Sequence, residues 1–509
     1  MTVVVGEPLA FEDVVAVAED RVPVQTAPDL AERMAPARSI VEDALASGRK
    51  IYGITTGFGG LSNVPIPHDE AERLQRDVVR SHATAVGEPL PREVVRAMLL
   101  LKARTFSFGI SGVRPDLVDR LTRFLNEGIH PQIPCQGSLG ASGDLALLAH
   151  LALPLMGEGT VEYDDAIMPA AEALDIAGIP RIELSIKEGL SLVNGTEGML
   201  ALGILACARA ETLERAAGIS GAMTLEACLG TDRAFDESLV ALRRHAGARI
   251  VARNLRRVLD GSEIVASHRD SEHLVQDAYS LRCIPQVHGA YRDGIAYVRS
   301  VLEAELESAI DNPSVIVDTG EVLSGGNFHG EALGLALDHL CLCVSGFATI
   351  AERRIARLVD PVLSNGLPAF LTEDPGRRSG FMLAHYTAAS LVAENRALCF
   401  PASSDSIPTS AGQEDHVSMG ATSGRKALQA LGNSQTVIGV EALAAAQGLE
   451  LRAPLRPSPA TTAALEHIRK LSPHLDEDRP LATDMESVGE LVKDGSLVAA
   501  VEAAIGPLD

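Results

Sequence analysis

A glycine-rich loop within Gln136–His150 (QGSLGASGDLALLAH) holds the residue types in this 509-residue chain that could do unusual chemistry. Glycines at 137, 140 and 143 surround Ser142. Because glycine permits backbone conformations that are closed to other residues, the loop can be held in a tight, strained geometry just before a helix. The loop does not match a phosphate loop, which needs Gly-Lys-Ser/Thr, and Asp144 replaces the second glycine of a nucleophile elbow. Neither familiar use of a glycine-flanked serine therefore fits.

Five further segments carry polar residues and glycines where the helical pattern breaks. Taken singly they are ordinary, since Tyr52 fits a turn and the Gly-rich SGGN at 324–327 fits a hairpin or loop. Taken together, their residue types, order and separations are far more specific than any one motif. The segments are Tyr52–Gly59 (YGITTGFG), Lys187–Thr196 (KEGLSLVNGT), Gln276–Gln286 (QDAYSLRCIPQ), Ser324–His329 (SGGNFH) and Pro401–Gly420 (PASSDSIPTSAGQEDHVSMG).

With Ala141-Ser142-Gly143, these segments resemble the ammonia-lyase and aminomutase family that forms 4-methylideneimidazol-5-one (MIO) from such a tripeptide. The resemblance covers the greater part of the chain. It implies that the Gly143 nitrogen attacks the Ala141 carbonyl and that Ser142 loses its hydroxyl as water, and glycine at 143 is an unhindered nucleophile. The product is an electrophilic cofactor made autocatalytically from the protein itself, with no metal site.

Ammonia elimination needs an electrophile for nitrogen and a base for a weakly acidic β-proton. From the resemblance, Tyr52 is the predicted base. Its phenol ordinarily titrates far above neutrality, so ionisation would need the positive potential of nearby helix N-termini. Arg282 is the predicted clamp for the substrate carboxylate, because a guanidinium offers two parallel hydrogen bonds, and a surface ion pair is the alternative.

Four uncharged residues complete the site that the resemblance implies. Asn194 and Gln276 are predicted donors to the MIO carbonyl and to the carboxylate, as in an oxyanion hole. Tyr279 is predicted to orient the amine near MIO, and Phe328 to pack against it. Together with the tripeptide, Tyr52 and Tyr279, Asn194 is placed among the catalytic residues.

His82 and Glu414 bear on the substrate. Ser81-His82 resembles the pair in the family's histidine enzymes, and Glu414 matches its imidazole-contacting glutamate. A carboxylate can accept from an imidazole N–H, whereas a phenyl ring would leave the buried acid without a partner. The expected reaction is L-histidine to trans-urocanate and ammonia, in histidine degradation. The alternatives are a satisfied helix histidine at 82 and a helix-start acid at 414.

Several positions depart from the residues expected in a histidine enzyme and leave other substrates open. A tyrosine or phenylalanine ammonia-lyase, or a tyrosine 2,3-aminomutase that re-adds ammonia at the β-carbon, would use the same MIO. A non-catalytic helical oligomer is a further alternative. The presence of the predicted electrophile, base and carboxylate clamp, which are Ser142, Tyr52 and Arg282, argues against it. The departures are Leu147, Gly412, His288, His385 and Tyr386.

The elements that must position these residues are predicted to be helices. Apolar residues three or four apart form one stripe in 291–310, and long helical patterns recur elsewhere. Such lengths are typical of packed helices rather than crossover helices between strands. Prolines in Arg452–Pro459 stop the preceding helix. The stripe is Ile295, Val298, Leu302, Leu306 and Ala309, and the other patterns are roughly 197–218, 331–358, 382–398 and 424–446.

The fold class predicted is therefore all-α, with a long central helix bundle and a loop-rich N-terminal part that carries MIO. The resemblance implies the fumarase/aspartase-like superfamily and a homotetramer whose active sites combine loops from more than one subunit. The predicted division is 1–215 for the MIO-bearing region and 216–509 for the long-helix bundle and C-terminal helices.

Composition excludes several function classes. With 44 Lys+Arg against 68 Asp+Glu, the net charge is −24, and the absence of a Lys/Arg-rich block argues against nucleic acid as a partner. The apolar run Leu333–Ala351 contains Asp338 and His339, which favours a buried helix over a membrane span. These exclusions leave a small molecule as the partner, and the resemblance implies that it is an amino acid substrate.

Seven cysteines, an odd number, do not suggest a disulfide framework. Cys341 and Cys343 form a lone CxC, interpreted as core thiols rather than a metal site. The first residues have no basic region before their apolar stretch, so no secretory signal is predicted and the expected location is cytoplasmic.

Overall fold

The computed structural model describes residues 2–47, 50–270 and 275–509. Helices account for 59% of the protein and strands for 8%, which confirms the predicted all-α class. The strands pair only in small sheets, of which the parallel one joins Val3–Val5 to Val24–Thr26. The antiparallel strands are Val86–Pro89 with Pro134–Gln136, His130–Pro131 with Thr160–Tyr163 and Ala166–Pro169, and Ser314–Ile316 with Glu321–Leu323.

The chain divides into two compact units. Unit 1 comprises Met1–Leu205, Arg299–Leu337 and Pro401–Arg425. It contains all of the strands above and eight of the shorter helices. These helices are Phe11–Ala18, Leu30–Ala46, Ala71–His82, Arg92–Ser107, Pro115–Glu127, Leu145–Ala152, Ala170–Ile176 and Glu188–Val193, with 3-10 turns at Gly59–Leu61, His68–Glu70, Leu153–Met156 and Ser410–Gly412.

Unit 2 comprises Ala206–Val298, Asp338–Phe400 and Lys426–Asp509. Its own helices are Glu237–Val240, Ala246–Leu259, Glu263–Ser267, Tyr279–Arg282, Met382–Leu398, Pro459–Arg469, Ala482–Lys493 and Ser496–Ile505, with 3-10 turns at Asp232–Phe235 and Ala369–Leu371. Four of the five unit boundaries fall inside long helices, and the fifth lies between Phe400 and Pro401. These helices are Glu197–Ala227, Ile284–Leu306, Glu331–Val359 and Gly420–Glu450. Each of these units is assembled from three separate stretches of the chain. The predicted division into 1–215 and 216–509 used two continuous stretches, and it stays a prediction.

The predicted long helices are all present, and their ends differ from the predicted ends. The helix expected over 291–310 ends at Leu306, so Ala309 lies outside it. The last turn tightens, because the Ser308 N–H donates to the Glu305 carbonyl three residues back at 2.9 Å, and the chain leaves the helix before it reaches Ala309. Pro36 lies inside the Leu30–Ala46 helix.

Glu331–Val359 is, among the described residues, the one helix long and apolar enough to span a membrane, and 78% of its most apolar window is buried, as in a core helix. All seven cysteines are free thiols, and Cys341 and Cys343 are buried. Within the described ranges, no group of three His, Cys, Asp or Glu side chains is arranged to hold a metal ion.

Candidate active site

One cavity of about 740 Å³ within unit 1 collects predicted site residues from five separate segments. Tyr52, His82, Ser142, Asn194 and Glu414 all line it. This volume is in the range of small-molecule sites. The rest of the wall is largely apolar and includes Phe58, Leu61, Val64, Ile66, Leu74, Leu145 and Leu190. The cavity therefore combines a few polar groups with an apolar surface, as suits an amino acid with a ring side chain.

The loop that carries Ser142 is held in a compressed geometry. Ser142 has φ +51° and Gly143 has φ +83°, both in the left-handed region that favours glycine. The Gly195 N–H donates to the Ser142 carbonyl at 3.1 Å, and the Asp144 N–H donates to the Gly195 carbonyl at 2.7 Å. A Cβ at Gly143 would overlap the Gly195 carbonyl, so only glycine fits there.

This geometry fits the ring that the resemblance implies. Ala141 and Gly143 are buried while Ser142 reaches the cavity wall, so a group formed from the three residues would present the serine-derived carbon to a ligand. The left-handed Ser142 and the unhindered nitrogen of Gly143 also suit a chain that closes upon itself.

Asp144 is a fully buried acid directly after the tripeptide. The sequence predicts an N-terminal helix residue, and Asp144 is the N-cap of Leu145–Ala152, although its side chain makes no capping bond to that helix. The carboxylate instead accepts from the Ser138 hydroxyl and from the Met199 N–H, both at 2.7 Å. Burial nevertheless raises the pKa of Asp144 to about 6, against the lowering effect of those donors.

Tyr52 lies half-buried in the cavity wall, and its Oη accepts a hydrogen bond from the Gly59 N–H at 3.2 Å. Burial raises the pKa of the Tyr52 phenol, the Glu414 charge raises it further, and the Gly59 N–H opposes both. This direction differs from the lowering that the base role requires. The reason is that one peptide donor does not offset desolvation and a nearby anion.

His82 ends the Ala71–His82 helix, and its orientation is set by the preceding residue. The Ser81 hydroxyl donates to the Val78 carbonyl at 3.2 Å and lies 3.1 Å from His82 Nδ1. With the Ser81 hydroxyl donating to Val78, the tautomer that carries its proton on Nδ1 donates to Ser81 and has Nε2 as an acceptor. Burial lowers the pKa of His82, so the imidazole is neutral near pH 7.

Glu414 is half-buried in a tight turn whose ends are fixed by paired backbone bonds with Thr409. The Thr409 hydroxyl donates to Glu414 Oε2 at 3.2 Å. Gly412, one of the departures, has φ +85°. Asn is the other residue that tolerates this region, so glycine in place of the family's usual Asn preserves the turn.

Asn194 is buried, with its Nδ2 donating to the Asn312 carbonyl at 2.7 Å. The backbone carbonyl of Asn194 accepts a hydrogen bond from Lys102 Nζ at 2.6 Å. The sequence reasoning missed Lys102, which is fully buried in the Arg92–Ser107 helix. A signal was available, because this lysine directly follows the apolar run Leu99–Leu101 on a helix.

Apart from Ala141 and Gly143, which lie buried on either side of Ser142, four predicted site residues do not line this cavity. Gln276, Tyr279 and Arg282 belong to unit 2, and Phe328 is half-buried elsewhere in unit 1. Gln276 is exposed, and Tyr279 is 72% exposed although it is a large aromatic side chain. The cavity walls of one chain therefore contain only part of the predicted site.

Within the described part of the chain, the Arg282 side chain lacks the anionic partner that a partly buried guanidinium usually has. Its guanidinium lies over the Tyr279 ring at 4.7 Å, and its Nε is buried without a hydrogen-bond partner. No carboxylate of the described residues forms an ion pair with it, contrary to the surface ion-pair alternative. The described residues that line the unit 1 cavity include the acids Asp77 and Glu414 but no Lys or Arg. A substrate carboxylate has no cationic partner in these walls.

The other departures also lie outside the cavity lining. Leu147 is fully buried in the first turns of its helix. His288 is fully buried against Phe347, with ring centroids 5.1 Å apart, and His385 Nε2 pairs with Glu352 at 2.7 Å. Tyr386 is exposed. None of them changes the walls around Ser142.

Comparisons with known proteins give one consistent family. The model of the aromatic amino acid lyase family matches residues 9–470. Histidine ammonia-lyase from Gloeobacter violaceus is 51% identical, over 99% of this chain and 98% of that protein. The crystal structure of histidine ammonia-lyase from Trypanosoma cruzi is 40% identical, with a TM-score of 0.91 over 99% of this chain and 96% of that one. Tyrosine aminomutase from Streptomyces globisporus is 38% identical, with a TM-score of 0.95 over the full length of both chains.

Proposed function

This chain belongs to the aromatic amino acid lyase family, and on that premise we propose that it is a histidine ammonia-lyase that converts L-histidine to trans-urocanate and ammonia. The observation that carries the proposal is the placement of Glu414 and His82 in the same cavity wall as Ser142. A carboxylate and a neutral imidazole acceptor offer two partners for the N–H groups of a histidine side chain.

The comparisons support the histidine assignment over the other aromatic substrates. The sequence relatives near 50% identity over nearly the whole chain are histidine ammonia-lyases. The tyrosine aminomutase structure matches the fold at least as well, but at 38% identity. Fold similarity therefore does not separate the substrates, and the assignment depends on the residues of the cavity wall.

We propose that Ala141, Ser142 and Gly143 form MIO. The ring supplies an electrophilic methylidene carbon for the substrate amine. Asn194 sits in the wall beside it, held on its amide nitrogen by the Asn312 carbonyl. Tyr52 is positioned to remove the β-proton, and the Gly59 N–H stabilises its phenolate.

Among the described residues, the cavity walls of one chain hold no Lys or Arg that could bind the substrate carboxylate or lower the pKa of Tyr52. We assign this role to Arg282 of a neighbouring subunit, together with Gln276 and Tyr279. A homotetramer with shared active sites accounts for an exposed aromatic Tyr279 and for an Arg282 without an ion-pair partner. Light scattering should give a mass of four chains, and a monomeric active enzyme would contradict this part of the proposal.

A cytoplasmic location belongs to the same proposal. Its support is the free thiol of all seven cysteines, as is usual in a reducing compartment. Fractionation of cells that express the tagged protein tests it.

A second candidate is a tyrosine 2,3-aminomutase or another aromatic ammonia-lyase, favoured by the TM-score of 0.95 to a tyrosine aminomutase structure. The two reactions differ in their products. Elimination releases an unsaturated acid, whereas migration gives a β-amino acid.

The test is to incubate the purified protein with L-histidine and to follow urocanate by its ultraviolet absorbance, with ammonia measured in parallel. Ser142→Ala should fold with an unchanged circular dichroism spectrum, lose the MIO absorbance and lose nearly all turnover. Retained turnover in Ser142→Ala would contradict the proposed mechanism.

A further inference from the structure

A buried network lies behind the tripeptide in unit 1, and its centre is Lys102. The lysine is 0% exposed, and its ammonium donates to two backbone carbonyls and forms an ion pair with a carboxylate. These are the Asn194 carbonyl at 2.6 Å, Glu197 Oε1 at 2.8 Å and the Ser191 carbonyl at 3.3 Å. The buried charge is therefore both hydrogen-bonded and paired with an anion, as burial of a cation requires.

The acceptors of Lys102 stand on both sides of Gly195. Asn194 precedes this glycine and Glu197 follows it, so one ammonium binds both ends of the turn. Glu197 is buried as well, and its Oε1 also accepts from the Thr105 hydroxyl at 2.8 Å. Its other oxygen packs so closely on Gly195 that a Cβ there would overlap the carboxylate.

Gly195 in turn holds the segment that must cyclise. Its N–H donates to the Ser142 carbonyl and its carbonyl accepts from the Asp144 N–H. The two glycines therefore form a parallel bridge, Gly143 to Gly195, that fixes the peptide groups on both sides of Gly143. The nitrogen of Gly143 is the predicted nucleophile of ring closure.

We infer that Lys102 is a positioning residue for formation of the cofactor, acting through Gly195 with Glu197 as its counter-ion. This inference depends on the proposed function, since it concerns the same ring. In the closure, the Gly143 nitrogen bonds to the Ala141 carbonyl carbon, and two water molecules leave with the Ala141 carbonyl oxygen and the Ser142 hydroxyl. No oxidant is needed. Lys102 takes no part in bond making, but it restricts the Gly195 turn that holds Gly143 in place.

The experiment measures ring formation separately from catalysis. Wild type, Lys102→Met and Lys102→Met/Glu197→Gln are purified early after induction, and the cyclised fraction is read by MIO absorbance and by the two-water mass loss of the peptide that contains 141–143. The double variant leaves no lone buried charge, so it guards against simple misfolding. Circular dichroism and thermal melting give the folded fraction.

Arg96→Met is the matched control. Arg96 is a buried cation on the same helix as Lys102, but it bonds to the Val17 and Leu125 carbonyls instead of the Gly195 turn. In both Lys102 variants, the rate of ring formation per folded molecule should be lower than in wild type by about tenfold or more. This is the effect expected from the loss of one charge-assisted hydrogen bond. Arg96→Met should lose stability and form the ring at the wild-type rate.

A double variant that forms the ring at the wild-type rate overturns the inference while leaving the proposed function intact. The same slowing in Arg96→Met also overturns it, because the effect would then follow from any lost buried cation. A wild-type protein that never forms the ring overturns the proposed function itself.

Discussion

Replacing Glu414 with Gln tests the substrate assignment through a single charge. The Glu414 carboxylate stands in the cavity wall with Oε2 bonded to the Thr409 hydroxyl, which leaves Oε1 for a ligand. A hydrogen bond to a charged group contributes about 1.5–3 kcal/mol. We therefore expect Glu414→Gln to lower kcat/KM for L-histidine by about 10- to 150-fold.

A second effect of the substitution acts on Tyr52. The Glu414 charge raises the pKa of the Tyr52 phenol, so its removal favours the phenolate. With L-phenylalanine, which has no ring N–H to lose, kcat/KM should stay the same or rise. The ratio of kcat/KM for histidine to that for phenylalanine should thus fall by about tenfold or more.

The assay measures initial rates of urocanate and cinnamate formation for wild type, Glu414→Gln and Asp77→Asn. Asp77 is the other acid in the wall, and it is engaged by Arg73 and Arg80 at 3.6 Å each. Its replacement should change both substrates by the same factor. The reasoning is refuted if Glu414→Gln lowers both substrates equally, or if Asp77→Asn reproduces the change in the ratio.

Three further predictions concern single side chains. Ser81→Ala removes the partner of His82 Nδ1, so the KM for histidine should rise several-fold with little change in kcat. An unaltered KM in steady-state kinetics would contradict the role of Ser81 in fixing the His82 tautomer. Burial raises the pKa of Asp144 from its ordinary value of 3.8 to about 6, so the folded protein binds this proton more tightly than the unfolded chain does. The free energy of unfolding should therefore increase by up to about 3 kcal/mol as the pH falls from above 6 to below 4. Urea melts of wild type and Asp144→Asn across that window should show this increment only in wild type. Arg282→Met should raise the KM for histidine about 100-fold, because the walls of one chain hold no other cation for the carboxylate, and an unchanged KM would refute its role.

Much of the fold was predictable because helical periodicity is a local property of the sequence. The patterns at 331–358 and 382–398 match helices that end within one residue of the predicted positions. The predicted end of the helix over 291–310 was wrong. The apolar stripe continues to Ala309, whereas the helix ends at Leu306. A hydrophobic pattern marks the buried face but does not locate a helix terminus.

The site was predictable to the extent that its residues lie in recognisable segments. Tyr52, His82, Asn194 and Glu414 were chosen from sequence, and the structure places them with Ser142 around one cavity. The pKa of Tyr52 was not predictable, because it depends on burial and on Glu414, which is distant in sequence. Lys102 was missed for a similar reason, since its partners on Ser191, Asn194 and Glu197 are distant in sequence and no motif specifies them.

The substrate assignment is decided by identifying the products that the wild-type protein forms from L-histidine, L-tyrosine and L-phenylalanine in parallel. Ultraviolet absorbance and mass spectrometry would separate urocanate, coumarate, cinnamate and any β-amino acid. The account predicts urocanate and ammonia from histidine, with the other two substrates turned over far more slowly. Coumarate, cinnamate or a β-amino acid as the main product would contradict the histidine assignment made from His82 and Glu414.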